Sequence, residues 1–385
     1  MIDLTRSLYL GFDHPASELT GWTTLTNGAP AALEPLVGSG AAGAAVAGLV
    51  EREAALLAPS TLHLFADLID VLTPPHRAVV ALEAGSYPIT RWAVRHVAAA
   101  GTPGVVFRHH DPASLWRILD APRLRHRVPV IICDGLCVNC GRVAPLRAYA
   151  RVAGRRGGWL VVDDTQAVGL LGHPTLGAGV YGHGGGGSAA RSGIDDPRVI
   201  VVASMAKAMG VPAAFLAGSA PVVELYRRQS RVRLHTSQVS AADLSALRHA
   251  LVLHHKEGSQ RRHRLEQLVR AFRAPLRGSG TVLTDSLFPV QQLWLPPACD
   301  AAAIHRQLLA SGVRTLLIGS KAQPRLGGVV TARHARAAVV FAARSIAVVL
   351  HQAARLGGRT DRHGPIVGTN HATQTCDLPR PRRAK

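Results

Sequence analysis

One lysine occupies a position where its amine would matter more than its charge. The chain has 385 residues, and of its 44 basic side chains only four are lysine, namely Lys207, Lys256, Lys321 and Lys385. Lys207 follows the apolar run 199–203 and lies in a turn that ends at Gly210. Arginine stays protonated at any working pH, whereas a desolvated lysine can lose its proton and attack a carbonyl carbon. We therefore interpret Lys207 as an amine kept for covalent chemistry.

Two carboxylates end a second apolar stretch. Residues 159–162 are apolar and are followed by Asp163 and Asp164, a pattern that predicts a buried strand ending in acids. Ligands in open α/β sheets bind at the carboxyl ends of strands. Pyridoxal phosphate (PLP) needs a lysine that forms a Schiff base with its aldehyde and a carboxylate beside its pyridine nitrogen. We predict that Lys207 and one of these two acids hold this cofactor.

Length and composition predict a folded enzyme-sized protein. A chain of 385 residues that is 47% hydrophobic can form one large α/β domain and a smaller one. The sequence shows no uncharged apolar run of the length that a membrane span requires. Residues 1–6 do not have the pattern of a secretory signal. We expect a cytoplasmic protein without a membrane partner.

The strong positive charge raises the question of nucleic acid. A net charge of +20 would permit salt-sensitive binding to phosphate backbones. The arginines are scattered through every segment, however, and aromatic residues, which could stack on bases, make up only 4%. We expect no nucleic-acid function.

Three cysteines are closely spaced. Cys133, Cys137 and Cys140 have a C-x₃-C-x₂-C spacing that could hold an iron–sulfur cluster and resembles the radical S-adenosylmethionine motif. In radical enzymes this loop follows an early barrel strand, whereas here more than a hundred residues of alternating pattern precede it. The other cysteines are Cys299 and Cys376, and an odd count argues against disulfides. We expect small, partly buried thiols and no metal.

Strand and helix patterns alternate along the chain. Apolar runs predict strands at 79–82, 104–107, 128–132, 159–163 and 213–217. Periodic patterns predict helices at 44–57, 62–72, 88–100 and 144–153, another that begins after Asp111, and long helices to about residue 274. This alternation indicates a mostly parallel sheet covered by helices on both faces.

Composition changes suggest the domain organisation. We predict an N-terminal arm at 1–43, a large cofactor-binding domain at 44–276, a small C-terminal α/β domain at 277–357 and a disordered tail at 358–385. The small domain is predicted to contain strands at 290–295 and 313–318 and helices at 301–310 and 332–350. The glycine-rich segment 182–188 is predicted to be a flexible loop, in the sharper reading a mobile flap over the site.

Three sequence blocks carry a family resemblance. Residues 8–11, 158–172 and 204–210 resemble PLP-dependent enzymes of the aspartate-aminotransferase fold, and within them the α-oxoamine synthases such as 8-amino-7-oxononanoate synthase. The similarity extends over residues 7–350. It implies a large domain with a mostly parallel sheet, a small C-terminal α/β domain, and a homodimer with shared active sites.

The resemblance also assigns roles to residues. It implies that Lys207 forms the Schiff base and that Asp163, the first acid of the pair, contacts the pyridine nitrogen, which leaves Asp164 as a structural acid. It also implies that Gln166 replaces a family histidine near the ring. Val138 replaces a family serine, and Gly327 aligns with a family arginine that binds a substrate carboxylate; Arg325, two residues away, is the predicted substitute. The remaining cofactor contacts implied are Thr61, Leu62, Tyr87, Ser204, Thr236 and Ser237, the last two reaching the phosphate of the neighbouring subunit.

Three functions remain open from the sequence. The first is condensation of an amine or amino acid with an acyl thioester, such as an acyl-CoA or acyl-carrier thioester, with loss of carbon dioxide. In that reaction the Lys207 amine, once freed, would shuttle a proton at the substrate carbon. The second is a PLP-dependent aminotransferase. The third is a non-catalytic protein that retains the PLP fold for binding, an option motivated by Gln166, Val138 and Gly327.

Overall fold

A seven-stranded sheet forms the centre of the fold. The computed structural model describes residues 1–15, 17, 19, 25–73, 77–277, 284, 286–295, 299–320 and 323–357. The strands in these residues are β1 Ile2–Asp3, β2 Ala54–Ala58, β3 Ala78–Glu83, β4 Gly104–Phe107, β5 Val128–Asp134, β6 Trp159–Asp163, β7 Val199–Ser204, β8 Ala214–Gly218, β9 Val290–Trp294, β10 Val313–Arg314, β11 Leu316–Ser320 and β12 Gln323–Val329.

Helices connect most of these strands. In the same residues they are α1 Ser39–Leu49, α2 Thr61–Leu72, α3 Pro88–Ala99, α4 Pro112–Leu119, α5 Leu146–Arg155, α6 Gly187–Arg191, α7 Ala220–Gln229, α8 Val232–His235, α9 Ala241–Arg273, α10 Ala301–Ala310 and α11 Arg336–Gly357. The start of α2 and of α4 follows from capping: the Ser60 and Asp111 side chains accept hydrogen bonds from backbone amides of the first turns. These two helix starts agree with the sequence patterns.

The strand order places the ends of six strands together. The central sheet has the order β2-β8-β7-β6-β5-β3-β4, and the neighbours from β4 to β7 are parallel. β8 is antiparallel to both β2 and β7, so β2 runs in the same direction as β7. The C-terminal ends of β2 to β7 therefore lie at one border of the sheet, here called the carboxyl edge. The predicted, mostly parallel sheet is confirmed.

Helices cover both faces of this sheet. β3 and β5 to β8 are almost entirely buried, which explains their continuous apolar runs. Phe65 and Leu68 of α2 and Val94 of α3 pack in one apolar cluster with the sheet. Leu115 of α4 and Tyr149 of α5 pack in another.

The predicted helix 44–57 is wrong in its second half. α1 ends at Leu49, and residues 54–58 form the edge strand β2, in which Leu56 pairs with Leu216. Glu51 adopts a left-handed backbone conformation with φ of 55°, which ends the helix. Leu56 and Leu57 had suggested a continued apolar helix face, but pairing with β8 outweighs that local pattern.

A small antiparallel sheet follows α9. Its order is β11-β12-β9, and β1 pairs separately with β10, which joins the N-terminus to the C-terminal part of the chain. The predicted strand 313–318 is divided into β10 and β11, and the predicted helix 332–350 begins at Arg336 and ends at Gly357. The strand β12 was not predicted from the sequence. The predicted tail 358–385 lies outside the described residues, and the domain limits, including the boundary at 277, stay a prediction.

The glycine-rich segment is paired with residues 169–173 and mostly buried, with only His183 and Gly184 exposed, so the prediction of a flexible flap is wrong. Backbone amides of Gly169 and Gly187 donate to the Gly185 and Leu171 carbonyls at 2.7 Å each. Residues 185–188 are buried. Gly185 and Gly187 adopt φ of 69° and 93°, so glycine here permits a left-handed backbone and close approach of two chain segments. These requirements explain the glycines without mobility.

One helix of the described residues has the length and hydropathy to cross a membrane. Arg336–Arg355 within α11 reaches a mean hydropathy of 1.6, and 33% of this stretch is buried inside the protein. Val339, Ala343 and Ile346 belong to the main apolar core, where α11 packs against α9. Such partial burial is what a core helix of a globular domain also shows.

Candidate functional site

The carboxyl edge brings most of the predicted site residues to one border of the sheet. Thr61 follows β2, Tyr87 follows β3, and Asp163 ends β6. Ser204 ends β7, and Lys207 lies in the turn after it. Because all these strands run in the same direction, residues distant in sequence share one border.

Lys207 is half-buried and held in place by the N-terminal arm. Its Nζ donates a hydrogen bond to Ser7 Oγ at 3.1 Å. Burial lowers the pKa of the Lys207 amine, and the nearby Asp163 carboxylate acts in the opposite direction. The net lowering increases the neutral fraction of the amine, which is the nucleophilic form.

Asp163 is a buried carboxylate with a second acid beside it. The Thr165 amide donates to Asp163 Oδ1 at 3.1 Å. Burial raises the pKa of Asp163, although hydrogen bonds from Thr165 and the charge of Lys207 oppose the shift. Asp134 of β5 is its partner in the strand register, is also buried, and has a pKa raised by burial and then by Asp163. Asp134 was not predicted as a site residue, although it ends the run 128–133 as Asp163 ends the run 159–162.

Asp164, the acid next to Asp163, is enclosed by Ser188 of the glycine-rich segment. The Ser188 amide donates to Asp164 Oδ2 at 2.8 Å, and the Ser188 hydroxyl donates to Oδ1. The side chain is fully buried, and burial raises its pKa to about 6. Its two oxygens are thus bound by the chain itself, in line with the predicted structural role.

Gln166 is oriented by a residue of the arm. The buried Tyr9 hydroxyl donates to Gln166 Oε1, which leaves the Nε2 amide as a donor for another group. Tyr9 and Ser7 were missed as site residues. The only signal was the block 8–11, which resembled the family but carried no catalytic residue type.

Ser204 supports the turn that carries Lys207. Its Oγ accepts a hydrogen bond from the Ala206 amide at 3.2 Å, and its own amide donates to Thr165 Oγ1 at 3.0 Å. Thr165 was also missed, because its hydroxyl joins two strands that are far apart in sequence. The phosphate contact of Ser204 stays a prediction.

Thr61 and Leu62 form the first turn of α2. Thr61 is buried, and Leu62 is exposed. The first amides of an α-helix have no acceptor within the helix and carry partial positive charge. This end of α2 can therefore bind an anion, as the sequence predicted for a phosphate.

Tyr87 begins α3 at the edge of the site. Its backbone amide donates to Asp134 Oδ1 at 3.1 Å, and 44% of the side chain is exposed. The geometry fixes the backbone of Tyr87 beside the two acids. Stacking of its ring on a cofactor stays a prediction.

Thr236 and Ser237 lie after α8. The Thr236 hydroxyl donates to the Val232 carbonyl at 2.9 Å, and Ser237 is exposed and forms a backbone bridge with Pro30. The Val232 amide donates to Asp67 Oδ2 at 3.0 Å, which fixes α8 on α2. Their contact with the phosphate of a second subunit stays a prediction.

Arg325 is connected to the loop that follows β5. Its Nη1 donates to Gln292 Oε1 at 2.9 Å, and Gln292 Nε2 donates to the Val138 carbonyl at 3.0 Å. Among the described residues, no hydrogen-bond partner reaches the buried Arg325 Nε. Gly327 lies two residues along β12 and so on the same face as Arg325. The Arg325 guanidinium therefore has one buried N–H group, at Nε, left to donate to a ligand.

Comparison of solved structures defines the fold class. The chain is similar to serine palmitoyltransferase from S. paucimobilis with a bound PLP–myriocin adduct, with a TM-score of 0.77 and 18% identity over 91% of this chain and 87% of that one. It is also similar to 8-amino-7-oxononanoate synthase from Francisella tularensis, with a TM-score of 0.73 and 16% identity over 91% of this chain and 98% of that one. The predicted fold is confirmed by these similarities.

The family follows from the sequence comparison. The family of aminotransferases class I and II matches residues 31–318, and the chain belongs to this family. Its relatives include 8-amino-7-oxononanoate synthase of Nitrosococcus oceani, 34% identical over 252 residues, and that of Pseudomonas putida, 32% identical over 247 residues. The aligned part is 63% of this chain in both cases, and it spans 63% and 60% of the two relatives.

Proposed function

We propose that this protein is a PLP-dependent transferase that joins an amine or amino acid to the acyl group of a thioester, as an α-oxoamine synthase does. The observation that carries the proposal is the half-buried Lys207 amine, with its pKa lowered by burial and with Asp163 beside it. The relatives named 8-amino-7-oxononanoate synthase support the choice of reaction.

The residues present fit the cofactor. Asp134 and Asp163 are two buried carboxylates on adjacent strands, and a protonated pyridine nitrogen would supply a cation that offsets their charge. The first turn of α2 offers amides and the Thr61 hydroxyl to a phosphate dianion. Ser204 and, from a second subunit, Thr236 and Ser237 complete the proposed phosphate contacts.

Each residue has a distinct task in the proposed reaction. When bound, PLP supplies an electron-accepting ring that stabilises negative charge at the carbon next to the amine. Asp163 would hold the ring nitrogen in its protonated form, and the Gln166 amide would be a hydrogen-bond donor to the ring. The neutral Lys207 Nζ would remove and return the proton at the substrate carbon. The hydrogen bond from Nζ to Ser7 Oγ holds the amine near this position.

The substrates are recognised by charge. Arg325 Nε is a buried donor, and we propose that the guanidinium binds the carboxylate of an amino acid. The net charge of +20 favours an anionic acyl donor such as a coenzyme A or acyl-carrier thioester. We further propose that the protein works in the cytoplasm as a homodimer.

Borohydride reduction tests the proposal directly. The purified chain is reconstituted with PLP, reduced, digested and mapped by mass spectrometry. We expect a single PLP adduct on Lys207, its loss in Lys207→Ala and its retention in the control variant Lys256→Ala. A chain that stays colourless with excess PLP, as a non-catalytic protein of this fold would, or an adduct at another lysine, contradicts the proposal.

An aminotransferase is the second candidate. The family to which the chain belongs bears the name of that activity, and both reactions use the same lysine and acid. Incubation with an amino acid and an acyl thioester separates the two. Release of carbon dioxide and free thiol supports acyl transfer, whereas transfer of nitrogen to a keto acid without either product supports transamination.

A further inference from the structure

A histidine–cysteine cluster lies at the carboxyl edge, apart from Lys207. His109 and His110 follow β4, and Cys140 belongs to the loop after β5. One ring nitrogen of each histidine and the Cys140 sulfur all lie within 4.8 Å of one another. His109 Nε2 is 3.4 Å from Cys140 Sγ. The proposed function uses none of these side chains.

One ring nitrogen of each histidine is buried without a hydrogen bond. In the described part of the chain, neither His109 Nδ1 nor His110 Nε2 makes a hydrogen bond. Burying a polar atom without a partner is costly, by about 1–3 kcal/mol for each group. The Glu83 carboxylate lies 3.6 Å from His109 Nδ1, so the nitrogen that lacks any acceptor or electrophile among the described residues is His110 Nε2.

The backbone holds the second histidine in an unusual conformation. His110 has a φ of 53°, in the left-handed region that favours glycine. Its amide donates to Glu83 Oε1 at 2.6 Å, and its ring stacks on that of His109 with a centroid distance of 3.8 Å. Strain of this kind persists where the surroundings fix it, and it is concentrated at functional sites.

Glu83 is placed as a supporting carboxylate. Its Oε1 lies 3.6 Å from His109 Nδ1 and accepts a hydrogen bond from the Tyr149 hydroxyl at 2.8 Å. Histidines that bind zinc through one nitrogen commonly direct the other towards a carboxylate, which orients the ring. The arrangement has this form, with His109 Nε2 directed towards Cys140.

We propose that His109, His110 and Cys140 bind a zinc ion. Imidazole nitrogen and thiolate sulfur are the ligands that zinc prefers, and neighbouring ligand atoms in a tetrahedral site are about 3.3–3.8 Å apart. The separation of 3.4 Å between His109 Nε2 and Cys140 Sγ already has this length. Cys137 interacts with Cys140 and is the candidate for a fourth ligand.

The zinc ion would fix the loop after β5, which is connected through Gln292 to Arg325 of the proposed substrate site. The loop after β5 carries the Val138 carbonyl, which accepts from Gln292, and Gln292 in turn accepts from Arg325. Zinc bound between β4 and this loop would fix that chain of contacts. With Cys137 as the fourth ligand, all four ligands would come from the protein, which is the pattern of a structural zinc site. No metal was predicted here from the sequence, because that prediction rested on the spacing of the cysteines alone.

Metal analysis of the full-length protein tests this proposal without an activity assay. The purified chain is stripped with a chelator, titrated with Zn²⁺ or Co²⁺, and assayed by elemental analysis and by the visible d–d absorption of cobalt. We expect one equivalent per chain and a tetrahedral cobalt spectrum. Cys140→Ser should weaken binding at least tenfold, whereas the matched control Cys299→Ser should bind as the wild type does.

A second variant protects the test against misfolding. Asparagine tolerates positive φ, so His110→Asn should keep the fold by circular dichroism and still lose the tight metal site. The proposal is overturned if the wild type takes up no cobalt, or if His110→Asn and Cys140→Ser bind it as tightly as the wild type. A disulfide between Cys137 and Cys140 in the purified chain, detected by mass spectrometry under non-reducing conditions, also overturns it.

Discussion

At the end of β6, Asp164 contacts the glycine-rich segment on one side and Asp163 interacts with Lys207 on the other. Both carboxylates are buried. Both oxygens of Asp164 accept hydrogen bonds from Ser188. Asp163 accepts a hydrogen bond from the Thr165 amide, and it also interacts with the charge of Lys207 and with a second acid, Asp134.

The difference separates a structural acid from a chemical one. On the Asp164 side, close packing of glycines brings backbone and hydroxyl donors to the carboxylate, so its charge is satisfied within the fold. On the Asp163 side, negative charge is concentrated beside an amine whose pKa is lowered. Two neighbouring acids of equal burial should therefore respond differently to the same substitution.

Asp163→Asn should cause the largest loss. It removes the charge that holds the proposed ring cation, and an opposite pair at 4 Å contributes about 4 kcal/mol at an effective dielectric constant of 20, or about 10³-fold in rate. The free energy of unfolding should change little without cofactor. Steady-state kinetics and denaturant unfolding measure the two effects, with Asp164→Asn as the matched control. Activity within tenfold of the wild type would contradict the assignment of Asp163 as the partner of the ring nitrogen.

Asp164→Asn should change the pH dependence of stability. The pKa of this carboxyl rises from 3.8 in the unfolded chain to about 6 in the folded protein. Between these pH values the folded state holds a proton that the unfolded state has released. The free energy of unfolding therefore falls as pH rises through this window, by about 3 kcal/mol for this group.

Denaturant unfolding at pH values on both sides of this window measures the contribution of Asp164 to the free energy of unfolding. The asparagine variant does not titrate, so its stability should fall less than that of the wild type between about pH 4 and pH 6. Asp163→Asn under the same conditions shows whether the effect belongs to Asp164. Identical pH profiles for the wild type and Asp164→Asn would contradict the description of this carboxyl as desolvated.

The contrast between the two sides was only partly visible in the sequence. The apolar runs before Asp163 and before Lys207 predicted buried strands, and parallel strands necessarily bring their ends to one border. The glycines at 182–188 were misread, because tetraglycine is locally permissive and only its pairing with residues 169–173 gives it a fixed form. The Asp164 environment could not be derived before that pairing was known.

Contacts between distant segments explain the other omissions. Ser7 and Tyr9 reach the site because β1 pairs with β10 and places the arm across the domain, which no local pattern encodes. The helix 44–57 was mispredicted for the same reason, since β8 recruits residues 54–58 as a strand. His109 was not considered, because it comes from a different strand than the cysteines.

Arg325→Ala should weaken substrate binding, because Arg325 is the proposed partner of the substrate carboxylate. Loss of a charge-assisted hydrogen bond to a carboxylate costs about 2 kcal/mol, which raises KM for an amino acid about 30-fold with a smaller change in kcat. Arg325→Lys should recover only part of the loss, because a lysine lacks the planar fork. Arg306→Ala, at an exposed position, is the control. An unchanged KM would remove Arg325 from the substrate site.

Tyr9→Phe should give the smallest effect and the sharpest test of the arm. The Tyr9 hydroxyl donates to Gln166 Oε1, so its removal frees the amide to rotate and should lower kcat about fivefold, or about 1 kcal/mol. Tyr181→Phe is a matched control, because Tyr181 is similarly buried and its hydroxyl donates to the Leu287 carbonyl. Both variants should lose comparable stability in denaturant unfolding. Only Tyr9→Phe should lower kcat, because only its hydroxyl orients a residue beside Asp163; equal rates for the two variants would mean that the arm closes the domain without positioning the site.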